Sequence, residues 1–357
     1  MEIVGENPAS AIRLFRYWKN PQSDEIGATA HEFLHLLSGP SHIHLTGRDR
    51  SRCRAVVTLS HGNEPSGFFA LYHLLQQQIL PIVDIHFFVS SVEAAQAPPG
   101  FHFRMLADQM DLNRCFKTPF GTTAQDRLAE QLLSTLKTLK PEAVIDIHNT
   151  SGSGPSFGVT TYMDERHDAL VSLFTHRMIL TDLTIGSLME ISDTLMPTVT
   201  VECGGAQDIE SHSMAFEGLQ KYVSIDDVLA PTRADFVLDF FHNPIRLELK
   251  PGIDITYADQ GSINSGVTLL PAVEHHNFGF VDTCTKLGFV SEPLENVLTA
   301  KNNRGEERLL DFFHLYNGEL RPKTRLKLFM VTTNPEIARK DCLFYLVPEN
   351  ADDNLQS

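Results

Sequence analysis

The sequence has no Cys-x-x-Cys pair, no basic run, no internal repeat, no low-complexity segment and no apolar stretch approaching membrane length. Each absence excludes something. Five cysteines, Cys53, Cys115, Cys203, Cys284 and Cys342, are scattered and odd in number, which argues against a disulfide framework and for a reducing compartment. Without an apolar run of about 20 residues there is no spanning helix to expect. Met1 to Ser10 is polar, carries two Glu and lacks the charged-then-apolar layout of a signal peptide. A formal charge of −16 with no Lys/Arg cluster disfavours nucleic acid and anionic membrane as partners. The expectation is a cytoplasmic protein acting on a small molecule, with homo-oligomerisation left open.

The 357 residues suffice for a large core and allow two domains, and 42% hydrophobic with 21% charged content is ordinary for a globular chain. Residues 10–38 read as helical with a break at Asn20-Pro21. Strand-like runs follow at His42–Thr46, Arg54–Ser60, Ile82–Ser90, Ala143–His148 and Thr198–Glu202, with a further candidate at Phe157–Met163. Between them lie helical patterns at Pro65–Gln78, Ala124–Lys140 and Asp164–Met178, and another after Glu202 to about Tyr222. Strands alternating with helices predict a mostly parallel or mixed sheet covered on both faces. After about Asp226 the helical period fades. Short β-like runs at Ile245–Lys250, Gly252–Tyr257, Gly279–Asp282, Arg325–Val331 and Leu343–Val347 predict a second unit. The expected division is an α/β domain over 1–228 and a β-rich C-terminal domain over 229–357, with a frayed polar tail from Glu349.

Four segments carry the chemistry: His61-Gly62-Asn63-Glu64, Asp111-Leu112-Asn113-Arg114, Asp146-Ile147-His148-Asn149 and Val201-Glu202-Cys203-Gly204. A catalytic zinc needs three protein ligands and an open position, together with a base not tied to the metal. His61 and Glu64, three apart in one loop, are weak evidence alone; His148 ends a second apolar strand and Glu202 a third. Open α/β sheets place ligands beyond the carboxyl ends of their strands, so these residues can converge. Asp146, two before His148, shares its strand face and can accept the spare N–H of a liganding imidazole; a cap on a nearby amide is the plain alternative. Glu202 closes a β-branched strand, either as a salt-bridge partner or as a general base serving the attacking water and the leaving amine. Arg114 offers a guanidinium fork for a substrate carboxylate beside Asn113, and Arg104 a second one. Gly62 is expected to let the backbone bend tightly.

Two further patterns compete. His31-Glu32-Phe33-Leu34-His35 matches the zincin His-Glu-x-x-His pattern, but little chain precedes it to build a supporting sheet, and Phe33, Leu34 and Leu37 fit a plain amphipathic helix. Gly154-Pro155-Ser156-Phe157-Gly158 matches a nucleophile elbow, yet a strand-like run follows where the elbow needs a helix.

In this order and spacing, the four segments resemble the succinylglutamate desuccinylase/aspartoacylase family of zinc carboxypeptidase-like hydrolases. The resemblance implies a carboxypeptidase-like α/β fold with an appended β domain, and amide hydrolysis releasing a carboxylic acid and an amino acid. It implies one Zn²⁺ per chain held by His61, Glu64 and His148, with Glu202 as base and proton shuttle and Asn113 and Arg114 on a carboxylate. The chain departs from the family at two places. The Arg usually found five residues before the Asp of the DLNR-type segment is Leu106 here, with Arg104 nearest. No Arg or Lys lies between Met178 and Val201, which speaks against N-acetylaspartate as substrate. A peptidase with the same centre is the alternative reading; a silent metal-binding protein or a zincin built on His31, Glu32 and His35 ranks lower.

Overall fold

The structure, a computed structural model, describes residues 14–192, 196–231, 238–262 and 264–349. The expected signal-free N-terminus and most of the polar tail lie outside these residues.

A nine-stranded mixed sheet forms the body of the chain. Its strands are β1 (Arg16–Lys19), β2 (Ser41–Leu45), β3 (Asp49–Thr58), β4 (Val83–Val89), β5 (Val144–Thr150), β6 (Phe157–Thr160), β7 (Arg177–Leu180), β8 (Thr198–Gly205) and β9 (Asp239–His242), in the spatial order β1-β2-β4-β3-β5-β8-β6-β7-β9. The central strands β4, β3, β5 and β8 run parallel, with β2 and β6 antiparallel to their inner neighbours. The mostly parallel or mixed sheet predicted from the alternating pattern is therefore present.

Both faces are covered, which is why the central strands read as continuous apolar runs. Val56, Ile145, Ile147, Val199 and Val201 pack on one side with helices α1 (Ala30–Leu36), α2 (Ser66–Gln76), α3 (Val92–Gln96) and the longer Ile209–Ser224 helix. On the other side, Ala55, Val57 and Val144 meet helix α4 (Ala124–Leu139) through Leu128, Leu132 and Leu136. α4 forms where its sequence says it should. Thr123 and Asp126 make a reciprocal capping box, its leucines recur at helical spacing, and Lys140 closes it in the left-handed conformation at φ 51°. α2 packs so closely on the sheet that a Cβ on Gly67 would lie 2.3 Å from Thr58 Oγ1.

The structure corrects several sequence expectations. Of the expected helix over 10–38, residues 10–13 lie outside the described residues; within 14–38, Arg16–Lys19 is an edge strand parallel to β2, and the helix is confined to Ala30–Leu36. Leu14, Phe15, Tyr17 and Trp18 suit either state, and pairing with β2 decides. The expected helix 164–178 stops at Ser172, and Arg177–Leu180 is a strand. His148 and Glu202 lie inside β5 and β8, which continue to Thr150 and Gly205.

Beyond β9, two five-stranded sheets built between Ile245 and Pro348 enclose a separate core containing Leu247, Val267, Leu298, Phe313, Leu328 and Phe344. The β-rich character expected for the C-terminal region is present. However, β9, which follows residue 228, pairs in parallel with β7 and forms the edge of the large sheet. Among the described residues no helix is long and apolar enough to cross a membrane.

One buried charge ties the sheet to its helices. Arg54, fully buried on β3, donates from Nη1 to Ile225 O at 2.8 Å and from Nη2 to Asp226 O at 2.6 Å, and it pairs with Glu142. It satisfies carbonyls at the C-terminal end of the Ile209–Ser224 helix, where a cation is favoured. Arg54→Ala should lower unfolding stability by about 3 kcal/mol, since it takes the guanidinium from the Tyr222 and Ile225 carbonyls and leaves Glu142 with Arg52 alone. Urea titration reads this directly, and a loss under about 1 kcal/mol would show that water replaces the guanidinium.

Candidate active site

Three adjacent parallel strands, β3, β5 and β8, deliver the site from their carboxyl ends. β3 ends at Thr58, and Leu59 turns the chain in the left-handed conformation at φ 51°. A buried leucine pays for that conformation with strain, here two residues before His61. The chain does turn at Gly62, where Glu64 N donates to His61 O at 3.2 Å, but the φ of Gly62 is not in the left-handed region, so the turn itself does not require glycine. The need at Gly62 is space: a Cβ there would lie 2.6 Å from Ala95 N. Glu64 stands before α2, whose first amide, on Ser66, donates to Asn149 Oδ1 at 3.0 Å. On the next strands His148 and Glu202 are register partners, so they sit side by side.

These residues converge. His61 Nδ1 pairs with Glu64 Oε1 at 2.8 Å, and His148 Nδ1 pairs with Glu64 Oε2 at 2.7 Å. Among the described residues, His61, Glu64 and His148 are the one group of three or more His, Cys, Asp or Glu residues whose ligand atoms lie within 4.8 Å of one another. All three are nearly inaccessible to solvent. Each imidazole uses its other nitrogen on a second carboxylate: His61 Nε2 with Asp111 Oδ1 at 2.8 Å, and His148 Nε2 with Asp146 Oδ2 at 2.8 Å. Asp146 thus stands at His148 as its strand position predicted, and Ser60 Oγ donates to its other oxygen at 3.2 Å. The partner of His61 was missed. Asp111 opens the Asn113-Arg114 segment, and only the long loop between β4 and α4 brings it 50 residues back to His61.

The electrostatics follow from this packing. Burial alone would discharge both imidazoles, yet the flanking carboxylates hold His61 and His148 above the ordinary histidine range. Glu64, despite burial, is held well below the carboxylate range by the two histidines. Glu202 behaves oppositely. Burial, then the negative charge of Glu64, push its carboxyl up to about 7 against the pull of His148. Its Oε2 is buried with no hydrogen-bond partner. An orphaned carboxylate oxygen beside two imidazoles and a carboxylate fits a cation and a reacting water better than a structural salt bridge.

The groups line one cavity of about 860 Å³ including its mouth, which also takes in Arg104, Asn113 and Arg114. Arg104 does reach the site from two residues before Leu106. Its Nε and Nη2 donate to Asp111 Oδ2 at 3.2 and 2.9 Å, and Nη1 lies 3.4 Å from Glu64 Oε1. Arg114 Nη1 donates to Asn113 O at 2.9 Å, and Nη2 to Asp341 Oδ1 at 3.2 Å. Asn113 Oδ1 accepts from Leu188 N at 2.9 Å, so this amide anchors a loop as well as facing the cavity. Pro244, Met330, Asp341 and Tyr345 close the cavity from the C-terminal sheets, and no local signal in the sequence pointed to them.

The competing motifs separate from this centre. His31 and His35 are exposed on a seven-residue helix, and Glu32 Oε2 accepts from Ala28 N at 2.7 Å. Ser156 lies in the loop before β6, with no helix after it.

Residues 55–218 match the profile of the succinylglutamate desuccinylase/aspartoacylase catalytic domain. Among solved structures, the chain is similar to a succinylglutamate desuccinylase/aspartoacylase from Rhodobacter sphaeroides, at 13% identity and a TM-score of 0.52 over 88% of this chain and 89% of that one. It is also similar to the product-bound ectoine utilization protein EutE (DoeB) from Ruegeria pomeroyi, at 16% identity and a TM-score of 0.54 over 86% and 87% of the two chains. A point mutant of murine aminoacylase 3 gives 16% identity and a TM-score of 0.50 over 84% and 95%. At these identities the likenesses establish the fold. No curated protein matches the sequence significantly. The profile spans the strands that carry the site, so residues 55–218 match a succinylglutamate desuccinylase/aspartoacylase catalytic domain, and the fold of the solved members is shared along most of the chain.

Proposed function

We propose that the protein is a zinc-dependent amidohydrolase that cleaves small N-acyl amino acids or related amides bearing a carboxylate. The observation that carries this is the meeting of His61, Glu64 and His148 beside the unpartnered Oε2 of Glu202. The donor set of two imidazoles and a carboxylate suits Zn²⁺, leaves room for a non-protein ligand, and is braced on both rings by Asp111 and Asp146. When bound, the ion supplies Lewis-acid polarisation of the scissile carbonyl and acidifies water.

The chain's own groups do the rest. Glu202, balanced near neutrality, takes a proton on Oε2 from the attacking water and returns it to the leaving amine. Asp111 and Asp146 fix the orientation of the two rings so that both Nδ1 atoms face Glu64. Arg114 binds the substrate carboxylate with the N–H groups not engaged by Asn113 and Asp341, and Asn113 holds the adjoining wall. Arg104 keeps Asp111 ionised and its remaining nitrogen near Glu64, where it can also meet a substrate oxygen. The wall supplied by Pro244, Met330, Asp341 and Tyr345 favours a small amide over an extended peptide. A cytoplasmic setting accords with the scattered cysteines, all of which are free thiols.

Glu202→Gln should retain zinc at unchanged stoichiometry while kcat falls about 10²–10⁴-fold. Metal analysis paired with turnover of an N-acyl amino acid panel reads both, and full activity in this variant contradicts the assignment. His61→Ala and His148→Ala should lose zinc, whereas His31→Ala and His35→Ala should keep it. In the intact protein the affinity for zinc should rise as pH rises through the histidine range. Below that range both raised imidazoles carry the protons an ion must displace. Calorimetry in buffers of different ionisation heat measures the proton release; pH-independent uptake between pH 5 and 8 would contradict it.

A further inference from the structure

The cavity has two chemically different ends. At the charged end, each arginine on the wall already faces a protein carboxylate. Arg104 is held by Asp111, and Arg114 by Asp341, whose same oxygen accepts from Arg246 Nη2 at 2.6 Å. Arg114 keeps other N–H groups for one carboxylate, and among the described residues no further Lys or Arg lines the cavity. On the β6–β7 side of Glu202, where Val159 is in register with both Thr200 and Ile179, the lining is uncharged: Val159, Ile179, Leu183, Ile185, Met189 and Met330, with the hydroxyls of Thr181, Ser187 and Thr200.

The acidic groups of this second wall point elsewhere. Glu190 Oε1 accepts from the amides of Ile185, Gly186 and Ser187 at 2.8, 2.8 and 2.9 Å, and the Asp182 carboxylate pairs with Asn303. The apolar wall is also fixed to the arginine wall. Leu188 N donates to Asn113 Oδ1, and Phe116 N donates to Gly186 O at 2.9 Å. At Gly186, φ is 86° and a Cβ would lie 2.5 Å from Arg114 O. The loop is therefore built against the charged corner and is not a loose flap.

We infer that the substrate carries one carboxylate and, at the other end, an uncharged apolar group, and that Asp341 together with the Leu183–Met189 loop excludes a second carboxylate. This rests on the amidohydrolase assignment above and names its substrate class. A second carboxylate would lie against aliphatic side chains with no cation, or beside Asp341, and either position costs its hydration without repayment. An alkyl chain in the same place loses nothing and gains about fourfold in kcat/KM for each methylene buried.

Two substrate series on the zinc-loaded protein test this. One lengthens the side chain, with N-acetyl derivatives of alanine, norvaline and norleucine, and N-acetylaspartate as the charged counterpart. The other lengthens the acyl group, with acetyl-, butanoyl- and hexanoylalanine, and N-succinylalanine as the counterpart. In at least one series kcat/KM should rise about fourfold per methylene, and its charged counterpart should fall about 100-fold below the longest alkyl member. Charged counterparts equal to or better than the alkyl members in both series would overturn the inference. Hydrolysis of nothing in either series would overturn the amidohydrolase assignment instead. Calorimetry then still reads the cavity: hexanoate binding tighter than succinate supports the apolar end, and the reverse sinks it. Asp341→Asn and Leu183→Lys should each raise the charged-to-alkyl ratio about 10-fold. This ratio is insensitive to how much of the variant is folded, and if it is unmoved in both variants these residues do not set specificity.

Discussion

The structure of the site depends on one carboxylate, Glu64, held between two imidazoles. Its oxygens meet Nδ1 of His61 and Nδ1 of His148 at 2.8 and 2.7 Å, where all three side chains are nearly buried at the floor of the cavity. Such a buried arrangement persists only if every charge is matched. Asp111 and Asp146 match the outer face of each ring, and Arg104 matches Asp111. The chain of pairings runs Arg104–Asp111–His61–Glu64–His148–Asp146. Removing any member takes away one of a buried neighbour's polar partners while another holds it in place, so the geometry is overdetermined in the manner a metal site needs.

Glu202 stands outside that chain, and this is what gives it a different chemistry. It shares the register of His148 but pairs with nothing through Oε2, and burial moves its carboxyl toward neutrality instead of away from it. Two carboxylates a strand apart are thereby separated into roles: Glu64 stays ionised and fit to be a ligand, while Glu202 can both accept and give a proton. The parallel order β3-β5-β8 accomplishes this, because it brings the ends of three strands distant in sequence to one edge.

Much of this was legible in the sequence because apolar runs and charged strand ends are local signals. RAVVTLS before His61, AVIDIH through His148 and TVTV before Glu202 announced buried strands, and the two-residue period placed Asp146 beside His148. What was illegible depended on long-range pairing. The strand Arg16–Lys19 exists because β2 is beside it, not because its residues reject a helix. Asp111 was in view as part of a motif, but its role needed the fold that returns it to a residue 50 positions earlier. Asp341, held by Arg246, joined the cavity from the C-terminal region with no local pattern to mark it. The zincin-like His31 and His35 show the reverse: a motif complete in sequence whose helix turns both rings to solvent.

The central claim is that residues distant in sequence form one zinc centre in which Glu202 takes no part as ligand. X-ray absorption at the zinc edge of the metal-loaded protein, compared with the Glu202→Gln variant, tests it most directly. Spectra fitted by two imidazoles with oxygen donors, unchanged by the substitution, are the expected result. A sulfur donor, a single imidazole, or a coordination shell that changes when Glu202 loses its charge would contradict the account.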